Sequence, residues 1–341
     1  MSDQDVDTAR VGEYLKEVGL SDSSSVLLQA IAGGQSNPTY LLTSGAFKCV
    51  LRTKPAGQLL PSAHAIDREF RVMRALEATD VPVPKMLAYC DDVAVFGRHF
   101  YLMEYVQGRA FVDQSLPGLE PAQRKAVYDE MNRVIAALHS VDYKAVELET
   151  YGKPGSYFSR QIGRWSRQCQ GSSLPVSDAM RNLMGWLPQH IPSDDETTLV
   201  HGDFRLDNLI FHPTELRVLA VLDWELSTLG HPMADFAYHC MSWRIPASLW
   251  RGVAGLDLNA LGIPIEKDYV KAYERLTGRD AGKNWEFYMA YNLFRMAAIL
   301  HGIGERAAQG NAAASNAAET AAVATPLAQI GWECAQRYDS A

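Results

Sequence analysis

The sequence predicts an α+β protein in two parts: a small N-terminal antiparallel sheet with one long helix, then a larger and mostly helical C-terminal part. Three observations predict it. Short apolar runs of β-type composition dominate the stretch before residue 107. After Gly108 the apolar positions move to helical spacing. Between Leu199 and Glu225 two further short apolar runs interrupt the helices, each bounded by polar residues. Gly108 marks the boundary, so the parts are 1–107 and 108–341.

Each element follows from its residues. Thr8 to Val18 forms a first helix with Asp7 as N-cap and Val11, Leu15 and Val18 on one face. Thr39 to Leu42 and Phe47 to Arg52 read as strands joined by a Ser44-Gly45 turn, after an apolar run from Val26 to Ile31. Ala63 to Ala78 is the long helix, closed before Pro82 and Pro84. Met86 to Tyr89 and His99 to Val106 are further strand-like runs. Helices are expected at 126–138, at two segments within 156–190 split by Gly171-Ser172-Ser173, and at 266–277, 284–306 and 316–338.

Composition narrows the function. A chain of 341 residues holds two real cores, and 47% hydrophobic with 21% charged residues is ordinary for a globular protein. A formal net charge of -8 argues against a nucleic-acid partner. The five cysteines are scattered, with no CxxC pair, which points to reduced thiols in a cytosol. The acidic start Met1-Ser2-Asp3-Gln4-Asp5 does not read as a signal peptide. Tyr288 to Ile303, the most apolar helical stretch, is too short and too polar to span a bilayer, so no membrane partner is expected.

The chemistry concentrates in His201-Gly202-Asp203, Asn208 and Asp223. Asn208 opens the run Leu209-Ile210-Phe211, and Asp223 closes the run Leu216 to Leu222, with a turn at His212-Pro213-Thr214-Glu215 between them. Antiparallel pairing brings Asn208 and Asp223 within a residue or two of facing at the open end. An amide oxygen and a carboxylate suffice for Mg²⁺, which fills its octahedron with water and phosphate oxygens. Asp203, in the turn leading in, is placed to take a proton from an acceptor hydroxyl. His201 orients that turn, and His139 reads as a packed core residue.

This constellation resembles the aminoglycoside phosphotransferase and choline kinase family, over about residues 28 to 306. Within it, Gly33 to Tyr40 and Asp223-Trp224-Glu225 resemble the branch often found fused to acyl-CoA dehydrogenases. The resemblance implies a protein-kinase-like bilobal fold, with nucleotide bound by 1–107 and catalytic loop, metal site and acceptor pocket in 108–341. It implies Asp203 as catalytic base, Arg205 touching the transferring phosphate, Asn208 and Asp223 as metal ligands, and Asp235 bracing the catalytic loop. The implied cofactors are Mg²⁺ and ATP or GTP as phosphoryl donor.

In the first part, Gly33-Gly34-Gln35-Ser36-Asn37 is a loop whose backbone N–H groups can approach phosphates, so Gly34, Ser36 and Asn37 are expected at the nucleotide. Arg52 stands where protein kinases carry a strand lysine, in Cys49-Val50-Leu51-Arg52. Ile66, Phe70, Met73 and Leu76 define the apolar stripe of the long helix. Glu69 falls inside that stripe and needs a cationic partner, for which Arg52 is the natural choice; Glu77 ranks second. Tyr101 to Val106 resembles the link between lobes where adenine docks on the backbone of Glu104 and Val106.

Only eleven residues separate Asp223 from Asp235, and no Ala-Pro-Glu run follows. That removes a protein-kinase activation segment, and with it a protein substrate. Trp165, Glu225, Tyr291, Arg295 and His301 are expected to line the acceptor pocket. The expected enzyme moves the γ-phosphoryl group of a nucleoside triphosphate to a hydroxyl of a small metabolite, either a hydroxyacyl compound or an antibiotic. Two other readings stand beside it: a non-catalytic nucleotide-binding module, and a metal-dependent phosphoesterase, which would want more His and Asp ligands than this stretch offers.

Overall fold

The computed structural model describes residues 8–23, 25–31, 37–55, 65–309 and 317–340. In chain order the elements are α1 (Thr8–Glu17), β1 (Leu27–Ala30), β2 (Thr39–Ser44), β3 (Phe47–Thr53), α2 (Ile66–Leu76), β4 (Met86–Cys90), α3 (Val93–Phe96) and β5 (Phe100–Glu104). There follow α4 (Pro121–His139), α5 (Tyr157–Gln170), α6 (Asp178–Trp186), β6 (Thr198–Val200), β7 (Leu209–Phe211), β8 (Val218–Val221) and β9 (Thr228–Gly230). The chain ends with α7 (Pro232–Cys240), α8 (Leu258–Leu261), α9 (Glu266–Thr277), α10 (Trp285–Ala308), α11 (Ala317–Ala322) and α12 (Ala324–Asp339).

Two compact units form. The first takes Met1–Ala110 together with Lys144–Tyr151 and Asn208–Ser227, so the hairpin carrying Asn208 and Asp223 packs with the N-terminal sheet. The sequence boundary at Gly108 lies two residues from the end of its first segment. Its five strands run antiparallel in the order β1-β2-β3-β5-β4. Alternation in β2 and β3 sends Leu42, Cys49 and Leu51 to one core, where Val11 and Leu15 of α1 join Phe100 and Leu102 of β5. Val18, expected on the buried face of α1, lies beyond its end and is 39% exposed. Helix α2 buries Ile66, Glu69, Val72, Met73 and Leu76, and its Phe70 ring packs on Tyr89 and Tyr101. In the hairpin, Leu209 pairs with Val221, and Arg109 pairs with Phe211 on its other edge.

The second unit, Phe111–Tyr143, Gly152–Asp207 and Thr228–Ala341, is helical apart from the short pair β6 and β9. Helix α4 starts earlier than its apolar periodicity: Pro121 occupies the first turn, and Glu120 and Gln123 close a capping box. Helix α10 is buried along most of its 24 residues and packs against α5, α7 and α12. The single helix expected over 316–338 is instead two, α11 and α12, broken at Val323. Pro326 explains the break: it has no N–H to donate and its ring clashes with a carbonyl four residues back, so it is accommodated only in a first turn.

Candidate active site

In the second unit the chain turns out of β6 into His201-Gly202-Asp203, and this turn is held from several sides. Asp235, in the first turn of α7, accepts the backbone N–H groups of His201 at 2.7 Å and Gly202 at 2.8 Å. His139 Nε2 lies 3.2 Å from the same carboxylate, and its Nδ1 is 2.6 Å from the Tyr273 hydroxyl. Burial pushes the His139 pKa down. The neutral ring therefore donates from Nε2 to Asp235 and accepts at Nδ1 from Tyr273. Burial pushes the Asp235 carboxyl up, but the bonds from His139 and His201 outweigh it and hold the group below its ordinary value. His201 turns its Nδ1 to the Asp203 N–H at 3.2 Å and is fully buried.

The Asp203 carboxylate itself accepts at Oδ1 from the Tyr238 hydroxyl at 2.5 Å and forms an ion pair with Arg205, whose Nε stands 3.0 Å from the same oxygen. Arg205 also lies 3.6 Å from Asp207, which pairs with Arg251 at 2.5 Å. A cavity of about 30 Å³, room for roughly one water-sized group, is lined by Arg205, Tyr238, Ser242, Trp250 and Arg251 among others. None of Trp165, Glu225, Tyr291, Arg295 and His301 lines it. Tyr291 is fully buried against Phe158, Arg295 spends its guanidinium on the Gly202 carbonyl at 2.9 Å, and His301 pairs with Ser172 at 3.0 Å.

In the first unit, Arg52 and Glu69 meet as the helix stripe requires, Nε to Oε2 at 2.8 Å with Glu69 1% exposed. The carboxylate also accepts from Asn37 at 2.6 Å and Tyr101 at 3.0 Å. Burial pushes Glu69 up, opposed by the charge of Arg52 and the hydrogen bonds from Tyr101 and Asn37, while Glu69 and Asp223 overcome the burial of Arg52 and raise it. Asn37 is thus wholly buried on Glu69. Gly34 and Ser36 lie outside the described residues. Glu77 pairs with Arg74 and accepts from the Met86 N–H, away from Arg52. The Glu104 N–H donates to the Lys85 carbonyl at 2.9 Å, and among the described residues no backbone hydrogen bond takes up the Val106 N–H.

The hairpin meets expectation in register: the Leu222 N–H donates to the Asn208 carbonyl at 2.8 Å, so Asp223 lies one residue past the facing position. Asp223 has φ +65°, ψ +57°, a left-handed backbone uncommon for a non-glycine residue. Among the described residues no cluster of three or more His, Cys, Asp or Glu could hold a metal. Two hard oxygen donors, Asn208 and Asp223, are the sparse protein set that suits Mg²⁺.

The phosphotransferase enzyme family, APH, matches residues 27–291. The chain belongs to this family. Membership makes it a phosphotransferase. This phosphotransferase is 46% identical over 328 residues to acyl-CoA dehydrogenase family member 10 of Mus musculus, covering 95% of the chain but 31% of that protein. It therefore spans about a third of the length of that curated relative. A crystal structure described as a candidate aminoglycoside phosphotransferase from Ralstonia eutropha JMP134 is 53% identical, with TM-score 0.90, covering 97% of this chain and 99% of that one. Aminoglycoside phosphotransferase APH(4)-Ia, solved with ADP and hygromycin B, shares the fold at 16% identity and TM-score 0.60, over 94% of this chain and 98% of that one. Among the described residues no helix is long and apolar enough to cross a membrane.

Sequence reasoning missed three participants in this phosphotransferase: Tyr101 on Glu69, Arg251 on Asp207, and Tyr238 on Asp203. Tyr238 stands three residues after Asp235 on one helix face, but in a wholly buried helix that place reads as core.

Proposed function

We propose that this phosphotransferase carries the γ-phosphoryl group of ATP or GTP to a hydroxyl of a small metabolite, with a hydroxyacyl compound as the acceptor. The observation that carries the reading is the hairpin's open end, where an amide and a left-handed carboxylate stand one residue off facing and Arg52 reaches that carboxylate. In this reading the first unit holds the nucleotide through Arg52 and the 104–106 backbone. Asp203 takes the proton of the acceptor hydroxyl, and Arg205 meets the phosphoryl group in flight. Mg²⁺, held by Asn208 and Asp223, would neutralise phosphate charge. The ADP complex of APH(4)-Ia supports an adenine nucleotide as donor. Nucleotide-lobe and acceptor-lobe roles for 1–107 and 108–341 belong to the same proposal.

The hydroxyacyl acceptor is supported by the relative of Mus musculus, whose name places a matching segment in an acyl-CoA dehydrogenase family member. An antibiotic acceptor is the second reading, favoured by the 53% identity to the Ralstonia eutropha structure.

The test is a thermal-shift panel of ATP, GTP and Mg²⁺, then a screen of hydroxyacyl compounds and aminoglycosides read by nucleoside diphosphate release. Asp203→Ala is expected to cut turnover at least about a hundredfold. Full activity in that variant removes Asp203 from the chemistry. Nucleotide-dependent stabilisation without turnover of any acceptor favours a binding module instead.

A further inference from the structure

Helix α7 touches the Asp203 turn twice. Asp235 takes the two backbone N–H groups that precede Asp203. Tyr238, three residues on and so on the same helix face, donates its hydroxyl to Asp203 Oδ1 at 2.5 Å. A third element fastens both ends. Arg295 of α10 donates to the Gly202 carbonyl at 2.9 Å, and its guanidinium carbon stands 5.1 Å from the centre of the Tyr238 ring. Tyr238 is 5% exposed and Arg295 7%. One buried cation thus holds the backbone before Asp203 and the ring that holds its side chain.

We propose that Tyr238 is a positioning residue that sets the rotation of the Asp203 carboxylate, so that α7 fixes both the backbone and the side chain of the base. The inference rests on Asp203 being the base, and the chemistry is that of a phenol and a carboxylate. Burial and the adjacent Asp203 push the Tyr238 hydroxyl well above its ordinary value, so it stays a donor throughout the working pH range. The carboxylate's rotation would otherwise be constrained at Oδ1 by Arg205, whose guanidinium is shared with Asp207. A phenol on a buried helix adds a rigid donor with two rotatable bonds.

The experiment compares wild type with Tyr238→Phe, which keeps the ring and its contact with Arg295. Aspartate carboxyl carbons are labelled with ¹³C, and the Asp203 resonance is assigned by its absence in Asp203→Asn. The charged groups around Asp203 are Arg205, Asp207 and Arg251 on its own side, Asp235 on α7 and Arg295 on α10. All are common to both proteins. At one fixed pH, loss of the phenol's hydrogen bond at Oδ1 is expected to shift that resonance from its wild-type position. On any acceptor that wild type phosphorylates, kcat is expected to fall about tenfold or more, with KM for the nucleotide unchanged. An unmoved resonance overturns the proposal, whether kcat falls or not, because a structural loss alone produces the latter. The resonance needs no acceptor. A moved resonance in a protein that phosphorylates nothing supports the positioning role while the kinase reading falls.

Discussion

Arg52 Nη2 stands 2.9 Å from Asp223 Oδ1 while its Nε stands 2.8 Å from Glu69 Oε2. One guanidinium therefore joins strand β3, helix α2 and the end of the hairpin, all within the first unit. The two carboxylates differ in setting. Glu69 is 1% exposed, and Asp223 has a side chain 36% exposed. A guanidinium serves this geometry because its planar fork can address two acceptors at once, whereas a lysine ammonium is a single point charge. The buried arm anchors Arg52, and the exposed arm is the one a phosphate or a cation can contest.

The backbone of Asp223 separates strain from function. At φ +65° a side chain with a Cβ costs roughly 1 kcal/mol that glycine does not. Asp223→Gly is expected to be about 1 kcal/mol more stable than Asp223→Ala by urea denaturation, while both lose at least about a hundredfold in turnover. Equal stabilities would mean that the left-handed conformation is not strained. Activity in either variant would remove Asp223 from the metal site.

Buried histidines predict the acid limb of stability. Burial lowers the pKa of His239 from 6.5 to about 4, and lowers His139 and His231 as well. The unfolded chain takes up a proton near pH 6.5, whereas folded His239 stays neutral until about pH 4. Stability from this group is complete above pH 6.5 and is lost as pH falls toward 4, at roughly 2 kcal/mol by pH 5. Glu69, raised by burial, acts with the opposite sign. Thermal melting should drop between pH 7 and pH 5, and drop less in His239→Gln. The same drop in both proteins would assign it elsewhere.

The parts legible in the sequence are those where periodicity alone decides. A carboxylate inside an apolar helix stripe had to find a cation, and Glu69 meets Arg52. Two apolar runs around a four-residue turn had to pair, and Asn208 meets Leu222. The illegible parts depend on side chains far apart in the chain. Tyr238 lies in a helix whose nine residues are all buried, so it reads as core until Asp203 is seen against its hydroxyl. Arg295 has the charge expected of an anion-binding residue, yet its partner is a backbone carbonyl of the His201-Gly202-Asp203 turn. Arg52 and Asp223 are 171 positions apart, and the sign of the Asp223 φ has no counterpart in composition.

Gly108, which marks the sequence boundary, has a packing reason for lacking a side chain. A Cβ there would stand 2.3 Å from the Phe211 carbonyl oxygen and 2.4 Å from Ile210 Cγ2, both on strand β7. The neighbouring Arg109 exchanges two backbone hydrogen bonds with Phe211, each 2.8 Å, so the segment cannot back away without breaking them. Its guanidinium also holds the hairpin turn, at the His212 carbonyl at 3.0 Å and the Glu215 carbonyl at 2.8 Å. Gly108→Ala must therefore displace β7, whose first residue follows Asn208 directly. The expected cost is about 2 kcal/mol of stability, in the range of overpacked interiors. Turnover is expected to fall more than this stability loss explains when measured well below the melting temperature. Nucleotide turnover and urea denaturation of the variant decide the matter: wild-type values in both would show that β7 moves freely and that the position of Asn208 does not depend on it.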